Sequence, residues 1–64
     1  MKEGKVKFFI ATKGFGFITP TDGSEDIFVH QTGLIDTIKD NDRVQYEVER
    51  GKKGMTAVRV EVIQ

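Results

Sequence analysis

Hydrophobic and polar residues alternate with a period of two along most of the chain, in short runs separated by glycine-rich turns. This pattern predicts β-strands that each bury one face. The connection from Gln31 to Asp42 is polar and has room for one helical or 3₁₀ turn within Gly33–Lys39. The predicted strands are Lys2–Ile10, Phe15–Thr19, Asp26–His30, Arg43–Glu49 and Met55–Ile63.

Composition supports an all-β protein with a single domain. Val, Ile and Thr total 19 residues, whereas Ala and Leu total three, and β-branched residues favour pleated surfaces. A chain of 64 residues predicts one domain, residues 1–64, near the lower size limit for a single apolar core. The absence of cysteine excludes a disulfide framework. No apolar run reaches the roughly 20 residues of a membrane span, so a cytoplasmic protein without membrane contact is expected.

The alternation also assigns side chains to two faces of the predicted sheet. The second and third strands carry Phe15, Phe17, Phe28 and His30 together on one face. Gly14 and Gly16 are expected to clear space around these rings for a ligand. The opposite faces supply an apolar core from Ile18, Ile27, Val29, Val44, Tyr46, Val48, Val58, Val60 and Val62.

Phenylalanine rings outside the core predict a flat ligand. Burying one such ring stabilises a fold by roughly 1.5–3 kcal/mol, so a chain this short is expected to bury its rings. In an arbitrary sequence these aromatics would more often be core, but here the aliphatic residues already form a full set. Nucleic-acid bases fit the exposed rings, because each aromatic stack contributes about 1–3 kcal/mol of binding. Lys5, Lys7 and Lys13 lie among the rings and can meet phosphates.

The charge is unevenly distributed, although the formal net charge is zero. Residues 1–20 and residues 50–64 each sum to +3, and residues 21–49 sum to −6. If the two basic ends meet in the fold, a neutral protein still carries a basic face for phosphates. The acidic stretch from Asp36 to Glu49 is expected to be a solvated far side that discourages duplex binding.

Four blocks of sequence resemble the bacterial cold-shock protein family. They are GKVKFF (4–9), KGFGFI (13–18), DIFVH (26–30) and GKKGMTAVRV (51–60), in the order and spacing of that family. The resemblance covers essentially the whole chain. It implies a five-stranded antiparallel OB-fold barrel that binds single-stranded RNA and DNA with little sequence preference and acts as an RNA chaperone.

The same resemblance assigns roles to individual residues. The stacking positions of the family correspond to Phe15, Phe17, Phe28 and His30, with Phe8 where most members have Trp. Residues that usually contact the backbone or base edges correspond to Lys7, Lys13, Asp26 and Lys53. Strict alternation places Phe8 inside the barrel and Phe9 outside, so Phe8 reaches the ligand face only if a β-bulge lies near Lys7 and Phe8.

The chain departs from the family pattern at several positions. Ile10 replaces a usual Asn, Gln31 replaces a frequent aromatic, and Met55 replaces a usual Pro. The connection from Gln31 to Asp42 is about four residues shorter than the common form and lacks its phenylalanine. These differences predict a shorter nucleic-acid footprint.

Three other functions are less consistent with the sequence. An RNA-recognition motif needs two helices and the reverse order of motifs. Catalysis would have to start from His30 and Asp26, without a second acid, a nucleophile or a metal-ligand set, so no catalytic residue, metal or cofactor is expected. A small barrel that binds a protein partner stays open, because exposed aromatics also form interface hot spots. A monomer is expected, and a domain-swapped dimer stays possible for so short a chain.

Overall fold

The computed structural model describes residues 2–51 and 54–63 of the chain. Within these residues five strands close into a barrel in the order β1-β2-β3-β5-β4. This confirms the predicted all-β, five-stranded OB-fold barrel, with strand bounds within two residues of those predicted. The strands are β1 (Lys2–Ile10), β2 (Phe15–Pro20), β3 (Ile27–His30), β4 (Arg43–Gly51) and β5 (Gly54–Val62).

Four of the strand pairings are antiparallel, and the pairing that closes the barrel is parallel. β1 pairs with β2 and β4, β2 with β3, and β4 with β5, all antiparallel. β3 and β5 run parallel, with Phe28 opposite Thr56. The connection after β3 extends this seam, since Leu34 forms a parallel bridge with Val60.

A short 3₁₀ turn, Gln31–Gly33, follows β3 directly. The turn was predicted within Gly33–Lys39, and it begins earlier because the His30 side chain caps it. Nδ1 of His30 accepts the backbone N–H of Thr32 at 3.3 Å. After Gly33, Leu34 is extended and bridges to β5, so the turn ends there.

Aliphatic side chains fill the barrel, as the alternation predicts. Ile18, Val29 and Val44 have no accessible surface, and neither does Tyr46. Ile38, from the connection before β4, also lies in this core. Burying an aliphatic side chain contributes roughly 1.5–3 kcal/mol, which makes these residues the main source of stability. The other fully buried apolar residues are Val6, Ala57 and Val60.

The prediction that Val58 faces the core is wrong. The β4–β5 register shifts between Gln45 and Glu47, and Arg59 adopts a left-handed backbone with φ 52°. This β-bulge adds one residue to β5, so the inward and outward positions before it are exchanged relative to those after it. Ala57 and Val60 therefore point inwards and are fully buried, whereas Val58 is half-buried outside the core.

Candidate nucleic-acid interface

Five aromatic side chains form one continuous patch on the outside of β1, β2 and β3, here called the aromatic surface. Each is half-buried, and neighbouring ring centroids lie 5.6 to 6.4 Å apart. The rings of Phe15 and Phe28 are stacked at 23°, whereas Phe17 meets Phe28 edge-on at 76°. The members of the aromatic surface are Phe8, Phe15, Phe17, Phe28 and His30.

A β-bulge places Phe8 on this surface. The β1–β2 register shifts between Val6 and Phe8, so that Phe8 lies opposite Phe17 instead of pointing into the barrel. The two ring centroids are 5.6 Å apart. Phe9 then turns inwards and packs against the core. The structure thus contains the bulge that the family resemblance requires, and strict alternation from Val6 fails at this point.

Gly16 has a different structural role from the predicted one, which was to clear space around the rings for a ligand. It faces inwards and is buried, not beside the exposed faces of the rings. A Cβ at Gly16 would lie 2.2 Å from the carbonyl oxygen of Phe8 and 2.7 Å from Cα of Phe9. Only glycine therefore lets β1 approach β2 this closely beside the bulge. Gly14 supports the neighbouring turn, where its φ of 76° favours glycine.

His30 lies at one end of the aromatic surface with a fixed ring. Its centroid is 6.4 Å from that of Phe28. Nδ1 accepts the N–H of Thr32 and lies 3.0 Å from the hydroxyl of the same residue. Because a backbone N–H can only donate, the neutral imidazole carries its proton on Nε2. His30 can therefore stack on a base and donate one hydrogen bond from Nε2.

Lys7 and Asp26 form an ion pair beside the rings. Nζ of Lys7 lies 3.0 Å from Oδ2 of Asp26, and the Thr19 hydroxyl donates to Oδ1 at 3.0 Å. The hydrogen bond from Lys7, helped by that from Thr19, lowers the pKa of Asp26 below its usual value. Asp26 is therefore ionised at neutral pH and accepts a hydrogen bond from Lys7 within the pair. The pair can offer both a donor and an acceptor to the edge of a base, with part of the Lys7 charge already neutralised.

The remaining predicted lysines differ in what the structure says of them. Lys13 is exposed in the turn between β1 and β2, directly before the stretch that carries Phe15 and Phe17. Lys53 lies outside the described residues, so its role stays a prediction.

Asp26 bonds to Lys7 and Thr19, and His30 bonds to Thr32, so the structure does not join Asp26 to His30 as an acid–base pair.

A groove of about 550 Å³ adjoins the aromatic surface at Phe17 and Phe28. Apolar atoms of Ile27 and Met55 line part of it. Three acidic side chains and one lysine also line the groove, so this part of the surface carries a mixed charge. The charged residues of the lining are Lys2, Asp22, Glu25 and Asp26.

The described residues hold no metal-site candidate: in 2–51 and 54–63, no three His, Cys, Asp or Glu side chains are grouped to bind an ion. The same part of the chain contains no helix of the length and apolarity that crossing a membrane requires. The site described above consists of aromatic faces and the Lys7–Asp26 ion pair.

Comparison with known proteins identifies the family. The sequence model of the 'cold-shock' DNA-binding domain matches residues 2–63. The chain belongs to this family. Its members bind nucleic acid and are not enzymes, which agrees with the site described above.

Individual relatives resemble the chain over most of its length. A cold shock protein of Arthrobacter globiformis is 49% identical over 98% of this chain and 100% of its own length. Cold shock-like protein CspC of Shigella flexneri is 45% identical, over 95% of this chain and 94% of its own. Cold shock-like protein CspG of Escherichia coli K12 is 48% identical, over 89% and 87% respectively.

A solved structure shares the fold. Drosophila Unr CSD456 superimposes with a TM-score of 0.82 and 26% sequence identity. The match covers 98% of this chain but 26% of that chain, so the likeness concerns one cold-shock barrel within a longer protein.

Proposed function

We propose that this protein binds single-stranded RNA and DNA by stacking bases on the aromatic surface, with little sequence preference. One observation carries the proposal: five rings lie side by side outside a barrel whose interior is already filled by aliphatic residues, Tyr46 and Phe9. Rings that face solvent in this way contribute little to the stability of the fold. Each ring offers a π-face to any base, and one stack contributes about 1–3 kcal/mol.

Low sequence preference follows from the chemistry of the site. Reading a base requires hydrogen bonds to its edge, and the aromatic surface has few groups that supply them. These are Nε2 of His30 and the Lys7–Asp26 pair. Stacking therefore dominates over edge recognition, and most base sequences are expected to bind.

The same binding mode supports a role as an RNA chaperone. A base held on Phe17 or Phe28 cannot stack within a duplex, so the protein favours unpaired transcripts. Transcripts in the bacterial cytoplasm are the proposed physiological ligands. The proposed binding unit is the monomer, because strands β1 to β3 of one chain supply every ring of the aromatic surface.

A titration with short oligonucleotides tests the proposal. Oligo-dT and oligo-U are titrated at two salt concentrations, with a duplex of equal length as control. Three or four phosphates at Lys5, Lys7, Lys13 and Lys53 predict a slope of log affinity against log salt of about −2 to −3, at roughly −0.7 per phosphate. Duplex binding is expected to be much weaker.

Two charge-reversal variants, one at a predicted phosphate contact and one as its matched control, test the origin of this slope. Lys13→Glu should make the slope shallower by about 0.7, the contribution of one phosphate. Lys39→Glu changes the net charge equally at a lysine outside the set of predicted phosphate contacts, so its slope should match that of the parent. A flat salt response for the parent would favour a protein partner at the aromatic surface.

A further inference from the structure

The edge of β1 beside the bulge is covered by a loop. β1 pairs with β4 only as far as Lys5. Past that point, the loop of residues 39–42 takes the place of β4. Val6 N donates to the carbonyl oxygen of Asp42 at 2.8 Å, and Asn41 N donates to that of Val6 at 2.8 Å.

The side chain of Asp40 accepts the hydrogen bond from the next backbone donor along this edge of β1. Oδ1 of Asp40 accepts the N–H of Phe9 at 3.0 Å. Phe9 is the residue directly after the bulged Val6–Phe8 stretch. This contact joins residues 31 positions apart, and it lies where the edge of β1 has no neighbouring strand.

The loop that carries Asp40 is itself fixed in place. Ile38 is 4% exposed and packs in the core. Lys39 N donates to Oδ2 of Asp42 at 2.9 Å, and Asp42 N donates back to the carbonyl oxygen of Lys39 at 3.1 Å. Asn41 has a φ of 73°, a left-handed conformation that Asn tolerates better than most residues. The Asp40 carboxylate is therefore held by a closed turn anchored in the barrel.

We propose that Asp40 is a positioning residue for nucleic-acid binding, which holds the β1 bulge and so keeps Phe8 on the aromatic surface. The inference rests on the proposed function. Without the bulge, regular alternation from Val6 sends Phe8 inwards and Phe9 outwards, because a shift by one residue exchanges the faces of a strand. The acceptor at Phe9 N stabilises the shifted register. Asp40 thereby acts on the ligand through Phe8, without touching a base.

A double-mutant cycle with Phe8 tests this role. Phe8→Ala should weaken binding of oligo-dT by roughly 5- to 140-fold, the loss of one stack. Asp40→Ala should weaken it by about threefold or more in the parent, yet change it little in the Phe8→Ala background. Removing a carboxylate favours binding of a polyanion, so a loss of affinity cannot come from charge. Asp40→Asn keeps a carbonyl oxygen as acceptor and should restore parental affinity.

A second measurement needs no variant and no nucleic acid. In the unmodified protein, the amide of Phe9 should exchange with deuterium more slowly than an unprotected amide. Exchange at the unprotected rate would overturn the proposal. So would equal losses from Asp40→Ala in both backgrounds, or an Asp40→Asn variant as weak as Asp40→Ala. Failure of the unmodified protein to bind any single strand would instead overturn the proposed function, and the binding role of Asp40 with it.

Discussion

The inner and outer faces of β2 and β3 have opposite chemistry, although their residues alternate one by one. Ile18 and Val29 point inwards and have no accessible surface. Phe17 and Phe28 point outwards and stay half-exposed. The largest side chains of these strands are therefore not the ones that hold the barrel together. Removing an inner residue should reduce stability, and removing an outer ring should reduce ligand binding.

The largest effect is expected for Val29→Ala. It removes two methyl groups from a fully buried side chain and leaves a cavity, which should lower the free energy of unfolding by about 2–4 kcal/mol. Val58→Ala is the matched control, since the bulge in β5 turns Val58 away from the core. Its cost should stay below about 1 kcal/mol. Urea unfolding of both variants measures the difference, and equal costs would contradict the reversed alternation in β5.

The next effect concerns the outer face. Phe17→Ala and Phe28→Ala should each weaken binding to single strands by about 1–3 kcal/mol. Both variants should lose less stability than Val29→Ala does, because the two rings lie outside the core. Oligonucleotide titrations and denaturant melts on the same samples separate the two properties. If Phe17→Ala unfolds the protein, the rings are core and the assignment of faces is reversed.

Alternation predicted the two faces of β2 and β3 but failed at both bulges. In β5, valines recur at positions 58, 60 and 62, so the sequence pattern runs unbroken through the bulge. Nothing in it marks Arg59, which is not a glycine, as left-handed. In β1, strict alternation placed Phe8 inside the barrel, and only the family resemblance required a bulge there. Alternation of hydrophobic and polar residues assigns side chains to the two faces of a regular strand. It does not locate the bulges at which the strands of a barrel bend.

The aromatic residues of the site were predictable, whereas the contacts that fix them were not. Each ring could be placed from its own strand or from the resemblance. The Lys7–Asp26 pair, the bond from Thr32 to His30 and the bond from Phe9 to Asp40 depend on side-chain geometry. Two of these join residues 19 and 31 positions apart. No local pattern encodes such a contact.

A third prediction extends the outer face. Gln31 is exposed directly after His30, and its side chain lies against Gly14, next to Phe15. The connection from Thr32 to Asp42 adds no aromatic. Affinity should therefore stop rising at roughly four to five nucleotides, near the low end of OB-fold site sizes. Gln31→Phe should add part of one stack, up to about tenfold in affinity.

Strands of three to eight nucleotides, with and without Gln31→Phe, measure this limit. Gln31→Leu is the control, because it adds apolar surface without a π-face. Equal gains from every added nucleotide up to eight in the parent would show that the shortened connection does not limit the site.

The smallest effect is expected at the inner face, for Tyr46→Phe. Tyr46 is fully buried, and its hydroxyl has no hydrogen-bond partner among the described residues. Removing an unpaired buried hydroxyl should leave stability unchanged or raise it by up to about 1 kcal/mol at neutral pH. Binding should not change, because the hydroxyl lies in the interior.

The pH dependence of Tyr46→Phe provides a second test of the same hydroxyl. Burial, with a smaller contribution from the charge of Asp22, raises the pKa of Tyr46 above its ordinary value of 10.0. The folded state therefore holds this proton more tightly than the unfolded chain, and the resulting stability is present below pH 10 and lost as pH rises beyond it. Tyr46→Phe lacks this loss, so its advantage over the parent should grow above pH 10. All other ionisable groups are the same in both proteins and cancel in the comparison. A cost above about 1 kcal/mol for Tyr46→Phe at neutral pH would show that the hydroxyl is hydrogen-bonded after all.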